Sequence, residues 1–391
     1  AGKRPTPMFT PISFRDVTLS NRVVVAPMAQ YSAIDGMPTD WHLMHYGARG
    51  VGGAGLVFTE MTCPAPDARI TDHCPGIWND AQEAAWKNIV QFIHENSGAK
   101  VCMQIGHAGR KGSTRHPMHG PDLPKDAGNW PLVSASALPY KEGVNAVPEA
   151  LDRTGMDRVR DEFVSATERA ARAGFDMVEL HGAHGYLIAS FLSPLTNTRS
   201  DEYGGSAENR VRFPVEVFEA MRAVWPEGKP MSVRLSAWDW AEGGISWDDL
   251  KVAATAFKNA GVDVINVSSG QTVPQQKPVY GRMYQVPFSE FIRHDVGIPT
   301  MTVGAITLPE QINMILAAGR ADLVALARPH LNDPSFTRKA AGHYGVTDPH
   351  WPVQYTTGAG QLLRESEKEN EKAVETARKL RPQRRHYTRA K

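Results

Sequence analysis

Eight short, nearly continuous apolar runs recur along this 391-residue chain, and their alternation with longer amphipathic stretches limits the folds open to it. The runs occupy 22–27 (RVVVAP), 55–59 (GLVFT), 101–105 (VCMQI), 176–180 (DMVEL), 231–235 (MSVRL), 262–267 (VDVINV), 299–303 (PTMTV) and 322–327 (DLVALA). They are too short for helices and rich in β-branched residues, the pattern of strands buried on both faces. Helical periodicity fills the spaces at 41–49, 81–96, 155–173, 208–224, 246–260, 309–318 and 333–343. Gly98, Gly174, Gly261 and Gly319 stand where four of these helices should stop. Thr307, as a cap, and Pro309 mark the start of one, and Asp248 places acid in the first turn of another. Eight strand–helix units predict an α/β fold, a TIM (β/α)8 barrel. The alternative, a doubly wound open sheet, would need a G-x-G-x-x-G turn after its first strand; GVGGAG at 50–55 precedes a strand instead.

Two segments interrupt the alternation. One runs from Gly106 to about Leu151, rich in Pro, Gly, His and Lys, and loops of this length are commonly lids or binding loops. The other is the tail, in which 361–380 reads as a highly charged helix. The expected organisation is a barrel domain over 8–350 with a C-terminal extension over 351–391. Net charge is +1, so neither nucleic acid nor an anionic membrane is an expected partner. The basic run from Arg378 to Lys391 is either a solvated tail or a contact for a polyanionic substrate. Cys63, Cys74 and Cys102 are too few for a disulfide framework or a four-thiolate iron–sulfur cluster, and a reducing cytoplasm fits them. There is no apolar run of about 18 residues and no signal-peptide pattern. The chain begins at Ala1 rather than Met, as a processed product or one part of a longer polypeptide would.

In barrels of this kind the chemistry collects where the strands end. Those positions hold Pro27, Met28, Ala29, Gln30 and Tyr31 after the first strand, and Glu60, Met61 and Thr62 after the second. Gln104, His107, Arg110 and Lys111 follow on the third, and His181, His184 and Tyr186 on the fourth. Arg234 is on the fifth, Ser268 and Ser269 after the sixth, Gly304 after the seventh and Arg328 after the eighth. The set is rich in neutral donors and arginines and poor in carboxylates, unlike a metal hydrolase. His181 and His184 have no obvious third ligand. They are either stacked histidines at a helix start or paired donors for a carbonyl oxygen. Gly304 and Arg328 suit a phosphate, because the loops after strands seven and eight form the usual phosphate site of barrels; a structural ion pair is the other reading of Arg328. Gln104 can both donate to and accept from a uracil-like ring edge. Arg234 can set positive charge beside a flavin N1–C2=O locus.

These residues also carry a family pattern. NR at 21–22, APMAQY at 26–31, QIGHAGR at 104–110, ELHGAHGYL at 179–187, FLSPLTN at 191–197, RSDEYGGS at 199–206, ENR at 208–210 and RF at 212–213 resemble the Old Yellow Enzyme flavoproteins from about Met8 to Tyr355. The opening and DWH at 40–42 look like the thermophilic-like branch of those ene-reductases. The resemblance implies FMN as cofactor, NADPH or NADH as reductant, and reduction of the C=C bond of an α,β-unsaturated carbonyl. It also implies residue roles. His181 and His184 hold the substrate carbonyl, Tyr186 donates the proton, and Tyr31 lines the pocket. Gln104, Arg234, Pro27, Met28, Ala29 and Met61 lie about the isoalloxazine, and Gly304 and Arg328 about the phosphate.

Two departures stand out. The branch usually has cysteine where this chain has Ala29. It also usually contributes an arginine from a neighbouring subunit near PVQY, whereas PVQY at 352–355 is followed here by Thr356 and Thr357. A homo-oligomer is expected, but its shared site is in doubt. The APMAQYS segment with a charged tail is similar to the reductase half of salicylyl-CoA or anthraniloyl-CoA hydroxylase/reductases. That likeness implies a cyclic enone acyl-CoA substrate, a place in a larger bifunctional flavoenzyme, and Arg110, Lys111 and Arg115 as CoA-phosphate contacts. Two alternatives stay open: a non-redox barrel enzyme acting on a phosphorylated substrate, and a flavin-binding module without turnover.

Overall fold

The computed structural model describes residues 6–347 and 350–380. Eight parallel strands close into a barrel: β1 (Val23–Val25), β2 (Leu56–Phe58), β3 (Lys100–Ile105), β4 (Met177–Gly182), β5 (Met231–Ser236), β6 (Val264–Ser268), β7 (Thr300–Thr302) and β8 (Leu323–Leu326). Each strand pairs with its successor and β8 returns to β1, Val324 opposite Val23 and Leu326 opposite Val25. Every predicted run coincides with one strand to within two residues at either end, as strands buried on both faces carry apolar residues on both.

The surrounding helices are α1 (Asp40–Val51), α2 (Asp80–Asn96), α3 (Arg153–Arg172), α4 (Leu187–Leu192), α5 (Ala207–Val224), α6 (Trp247–Asn259), α7 (Val286–Phe291), α8 (Pro309–Ala317), α9 (Arg328–Asn332), α10 (Phe336–His343) and α11 (Thr356–Lys379). Trp86, Phe163, Phe175, Phe218 and Phe257 are fully buried in the layer between helices and barrel; each aromatic so buried stabilises the fold by roughly 1.5–3 kcal/mol. α6 begins in a reciprocal capping box of Ser246 and Asp249. Gly174, Gly261 and Gly319 stop their helices in the left-handed region, at φ +91°, +91° and +69°. Two local expectations fail. Gly98 has no positive φ, since α2 ends on extended Ser97. Thr307 does not cap α8; the N-cap is Leu308, and the Gln311 side chain accepts from both backbone N–H groups, at 2.8 and 3.1 Å.

An N-terminal hairpin, Ile12–Phe14 against Val17–Leu19, had no counterpart in the sequence reading. Its Phe14 and Leu19 pack on Val24, Leu56, Cys102, Met301 and Leu323, so it plugs one end of the barrel and leaves the chemistry to the other. α11 is longer than predicted and rests on α10, with Leu362 against Gly342; Ser366 is its one buried residue. The predicted basic run 378–391 falls outside the described residues from 381 onward. No helix among the described residues is long and apolar enough to cross a membrane.

Burial pushes the imidazoles of His45, His107 and His330 down to about 3, 4 and 4. Each stays neutral in the fold but protonates in the unfolded chain near its ordinary value, so acid favours unfolding. Stability is therefore full above about pH 6.5. It falls by up to about 1.4 kcal/mol per pH unit for each such imidazole as pH drops toward its folded value. The urea midpoint should decline from pH 7 to pH 5, less steeply in His330→Asn. Equal slopes in the two proteins would contradict the neutral burial of His330.

Candidate active site

A cavity of about 450 Å³ opens at the ends of strands β5 to β8 and is lined by Pro27, His184, Arg234, Ser268, Ser269, Tyr284, Gln285, Gly304 and Arg328, among others. Strand-end residues that the sequence scatters over three hundred positions thus meet on one rim. At one side β7 ends in Gly304 with φ +120°. A Cβ there would fall 2.8 Å from Gln285 Nε2 and 2.9 Å from Tyr284 Cε1, so only glycine fits. Gln285 Nε2 donates to Val303 O at 3.0 Å and holds this turn in place. Arg328 is exposed beside it.

Arg234 is the electrostatic anomaly of the rim. Its residue is only 7% exposed, yet its guanidinium makes no hydrogen bond or ion pair with a described residue, and Nε is buried without a partner. Leaving such a donor unsatisfied costs about 1–3 kcal/mol or more, so the site calls for an acceptor against it. Below it lies Glu179, fully buried in the barrel. Its carboxylate accepts from Gln104 Nε2 (2.8 Å), Ser232 Oγ (2.9 Å) and Asn266 Nδ2 (3.0 and 3.2 Å). Burial raises its pKa and Arg234 opposes the rise.

The histidines follow from the end of β4. In the ladder His181 lies opposite Arg234. The rings of His181 and His184 meet edge to face at 5.1 Å, and Tyr186 stands 5.1 Å from His181 and 6.3 Å from His184. The Ala183 N–H donates to His181 Nδ1 at 3.2 Å, so the neutral ring carries its proton on Nε2. His184 Nε2 shares a hydrogen bond with Ser268 Oγ at 2.7 Å. Burial, helped by Arg234 and Lys111, pushes both imidazoles well below their ordinary pKa; both are neutral at pH 7. Burial pushes the Tyr186 phenol well above 10, so it keeps its proton.

Loop contacts fix the remaining residues. Tyr31 takes a left-handed φ of +51°, meets His116 edge to face at 5.2 Å, and packs with Tyr186 on the cluster around buried Met61. Gly106 makes room for Met61, whose Cγ would lie 2.7 Å from any Cβ added there. Met28 packs against the core and Ala29 is exposed. Glu60 has a role the sequence did not show: its Oε2 accepts the Gln30 N–H at 2.9 Å and pins the loop carrying Met28 to Tyr31. So does Lys111, whose buried Nζ donates to His184 O and Gln271 O, both at 3.0 Å, 5.2 Å from the Tyr186 ring. This corrects the expectation that Arg110 and Lys111 meet CoA phosphates. Arg110 also is buried, donating to Thr272 O at 2.6 Å, and Arg115 pairs with Asp126. Local sequence had no signal for these bonds, which join residues up to 162 positions apart.

Asp67, His107 and Glu162 bring ligand-type atoms within 4.8 Å of one another. Arg158 already bonds both carboxylates, at 3.3 and 2.7 Å, and His107 Nδ1 accepts from the Gly109 N–H at 3.0 Å. The ring proton therefore sits on the nitrogen a metal would need, and the cluster reads as an ion pair with its cation in place.

FMN fits this rim. The unpaired buried guanidinium of Arg234 matches a flat ring's carbonyl edge, and the glycine turn at Gly304 with Arg328 matches its phosphate. Fold and rim together define a flavin-dependent oxidoreductase of the TIM-barrel class. The sequence matches the NADH:flavin oxidoreductase / NADH oxidase family over residues 7–345, and the chain belongs to that family, within its Old Yellow Enzyme group. It is 41% identical to an NADPH dehydrogenase of Geobacillus thermodenitrificans over 355 residues, 90% of this chain and 98% of that one. Against an NADPH dehydrogenase of Listeria monocytogenes serotype 4a it is also 41% identical, over 89% and 98% of the two chains. Morphinone reductase superposes with a TM-score of 0.72 at 30% identity, covering 88% of this chain and 91% of its own. A 2-naphthoyl-CoA reductase complex gives 0.77 at 21% identity; the match covers 86% of this chain and 52% of that one, and shows likeness of fold.

Proposed function

We propose that the protein reduces the C=C bond of an α,β-unsaturated carbonyl compound with electrons from NADPH. One observation carries the reading: two neutral imidazoles and a protonated tyrosine are held within 6.3 Å of one another beside an unpaired buried arginine. When bound and reduced by the nicotinamide, FMN supplies the hydride that goes to the β-carbon. The chain's own residues do the rest. His181, through Nε2–H, and His184 donate to the carbonyl oxygen and stabilise the negative charge that develops there. Ser268 orients the His184 ring through its hydrogen bond to Nε2. Tyr186 gives its proton to the α-carbon, completing the addition of two hydrogens. Lys111 fixes the His184 carbonyl and lies beside the Tyr186 ring, where its charge offsets the phenolate left behind. Tyr31 closes the pocket wall. Gln104, Arg234, Pro27, Met28, Ala29 and Met61 surround the ring, with Gly304 and Arg328 at the phosphate. Residues 8–350 form the oxidoreductase unit and 351–391 an extension.

NADPH is chosen over NADH because the 41%-identical relatives are named NADPH dehydrogenases. The substrate class includes cyclic enone thioesters of CoA, which the APMAQYS segment suggests. An anaerobic titration tests the proposal. The purified protein should be yellow, bleach with NADPH, and recover its colour with cyclohexenone or a CoA-linked enone. A bleached protein that no enone reoxidises would end it. In Tyr186→Phe, reoxidation by enone should slow by about 10²-fold or more, the usual worth of a placed acid, while bleaching by NADPH keeps its rate. The reverse pattern would remove Tyr186 as the proton donor.

A further inference from the structure

The segment joining β6 to α7 runs over the rim for 17 residues, 269–285, without regular structure. Near its tip Val279 and Tyr280 are 73% and 72% exposed. Tyr280 meets Tyr284 edge to face at 5.4 Å, and Tyr284 tilts against Trp240 at 6.4 Å, forming a ladder of rings that leads outward from the cavity. Its inner end is anchored. Trp240 Nε1 donates to Ser269 Oγ at 2.9 Å, and Trp240 O accepts the Lys277 N–H at 2.8 Å.

Cations accompany the ladder. Lys277 and Arg282 belong to the same segment. Both are exposed, and neither forms an ion pair with a described acid. Several arginines elsewhere on the surface are already engaged: Arg153, Arg158, Arg160, Arg172 and Arg320 each hold a carboxylate. Exposed flat rings beside unpaired cations, continuous with a cavity that takes a reactive end, are complementary to a purine joined to phosphates. Ring-on-base stacking is typically worth about 1–3 kcal/mol per base, and guanidinium forks match phosphate oxygens.

We propose that this ladder and its cations bind the adenosine end of a nucleotide bearing a ribose phosphate, the ligand whose other end reacts in the cavity. NADPH, phosphorylated at the 2′ position, and CoA thioesters, phosphorylated at the 3′ position, share this chemistry. The inference rests on the function proposed above, and the test separates the two.

Binding of 2′,5′-ADP and of 3′,5′-ADP to the FMN-loaded enzyme is measured by calorimetry for wild type, Tyr280→Ala and the double variant Lys277→Gln/Arg282→Gln. The expected result is an affinity about tenfold lower in both variants for at least one of the two nucleotides. If 2′,5′-ADP is the one affected, the NADPH concentration for half-maximal flavin reduction should rise in the double variant while that for NADH holds. If it is 3′,5′-ADP, the KM for a CoA-linked enone should rise while that for free cyclohexenone holds. Wild-type affinity of both variants for both nucleotides, or no binding of either nucleotide by wild type, overturns the proposal. FMN content and reoxidation by cyclohexenone in the same preparations report on the parent reading. Their loss in wild type counts against that reading, and their retention with unchanged nucleotide affinity counts against the adenosine site alone.

Discussion

His181→Ala should slow the proposed C=C reduction by about 10²–10³-fold while FMN stays bound. That is the usual cost of removing one preorganised donor from a developing oxyanion. The Ala183 N–H occupies Nδ1, so the imidazole has one N–H left to give and it is on Nε2. Burial and the charges of Arg234 and Lys111 keep the ring neutral, so it donates one hydrogen bond and does not act as an acid. The same deletion should weaken binding of phenols, whose oxygen would sit where the substrate carbonyl does. His181→Asn, which keeps an N–H of similar reach, should recover part of both losses. The measurement is stopped-flow reoxidation of the reduced enzyme, with a phenol titration followed in the flavin spectrum. Phenol affinity equal to wild type in His181→Ala would contradict the role. Melting temperature and FMN content check that the buried site has not simply collapsed.

Arg234→Met should weaken FMN binding by about 10- to 10²-fold, since hydrogen bonds to a charged group contribute roughly 1.5–3 kcal/mol. The change has a second signature that a merely structural role would not produce. Glu179 beneath it already has a raised pKa because it is buried, and Arg234 is the first influence holding it down. Without the guanidinium the carboxyl rises further. A carboxyl whose folded pKa lies above its unfolded value stabilises the fold fully at low pH and loses that contribution as pH rises through the folded value. The variant should therefore lose stability relative to wild type as pH climbs above about 4.5, over a window reaching to higher pH than in the parent. FMN release measured by fluorescence and urea melts at pH 5 and 8 provide the two readouts. A stability difference that does not change with pH would break the proposed link between Arg234 and Glu179.

Much of this molecule is written in short-range pattern. Continuous apolar runs such as VDVINV report strands buried on both faces, and the eightfold recurrence with helices between them defines the barrel. The spacing of His181, His184 and Tyr186 at the end of β4 and in the turn after it already placed them together on the rim, because six residues spanning a strand end and a tight turn stay close in space. The carboxylate-poor character of the strand ends could likewise be read directly.

What stayed hidden was every contact between residues far apart in the chain. Lys111 holds the carbonyls of His184 and Gln271, 73 and 160 positions away, so a lysine expected to meet CoA phosphates is a buried brace. Glu60 reaches the Gln30 N–H, and Glu179 gathers Gln104, Ser232 and Asn266 from three other strands. The hairpin at Ile12–Leu19 was too short to show a period, and its task as a plug exists only once a barrel is there to close. Local sequence encodes dihedral preference and which face is apolar. Partner choice across the barrel depends on strand register and closure, and these belong to the whole chain. The kind of fold and the cast of reactive groups were thus determined by sequence alone. Which cations are already spent on carbonyls and carboxylates, and which remain for a ligand, was decided only by the tertiary structure.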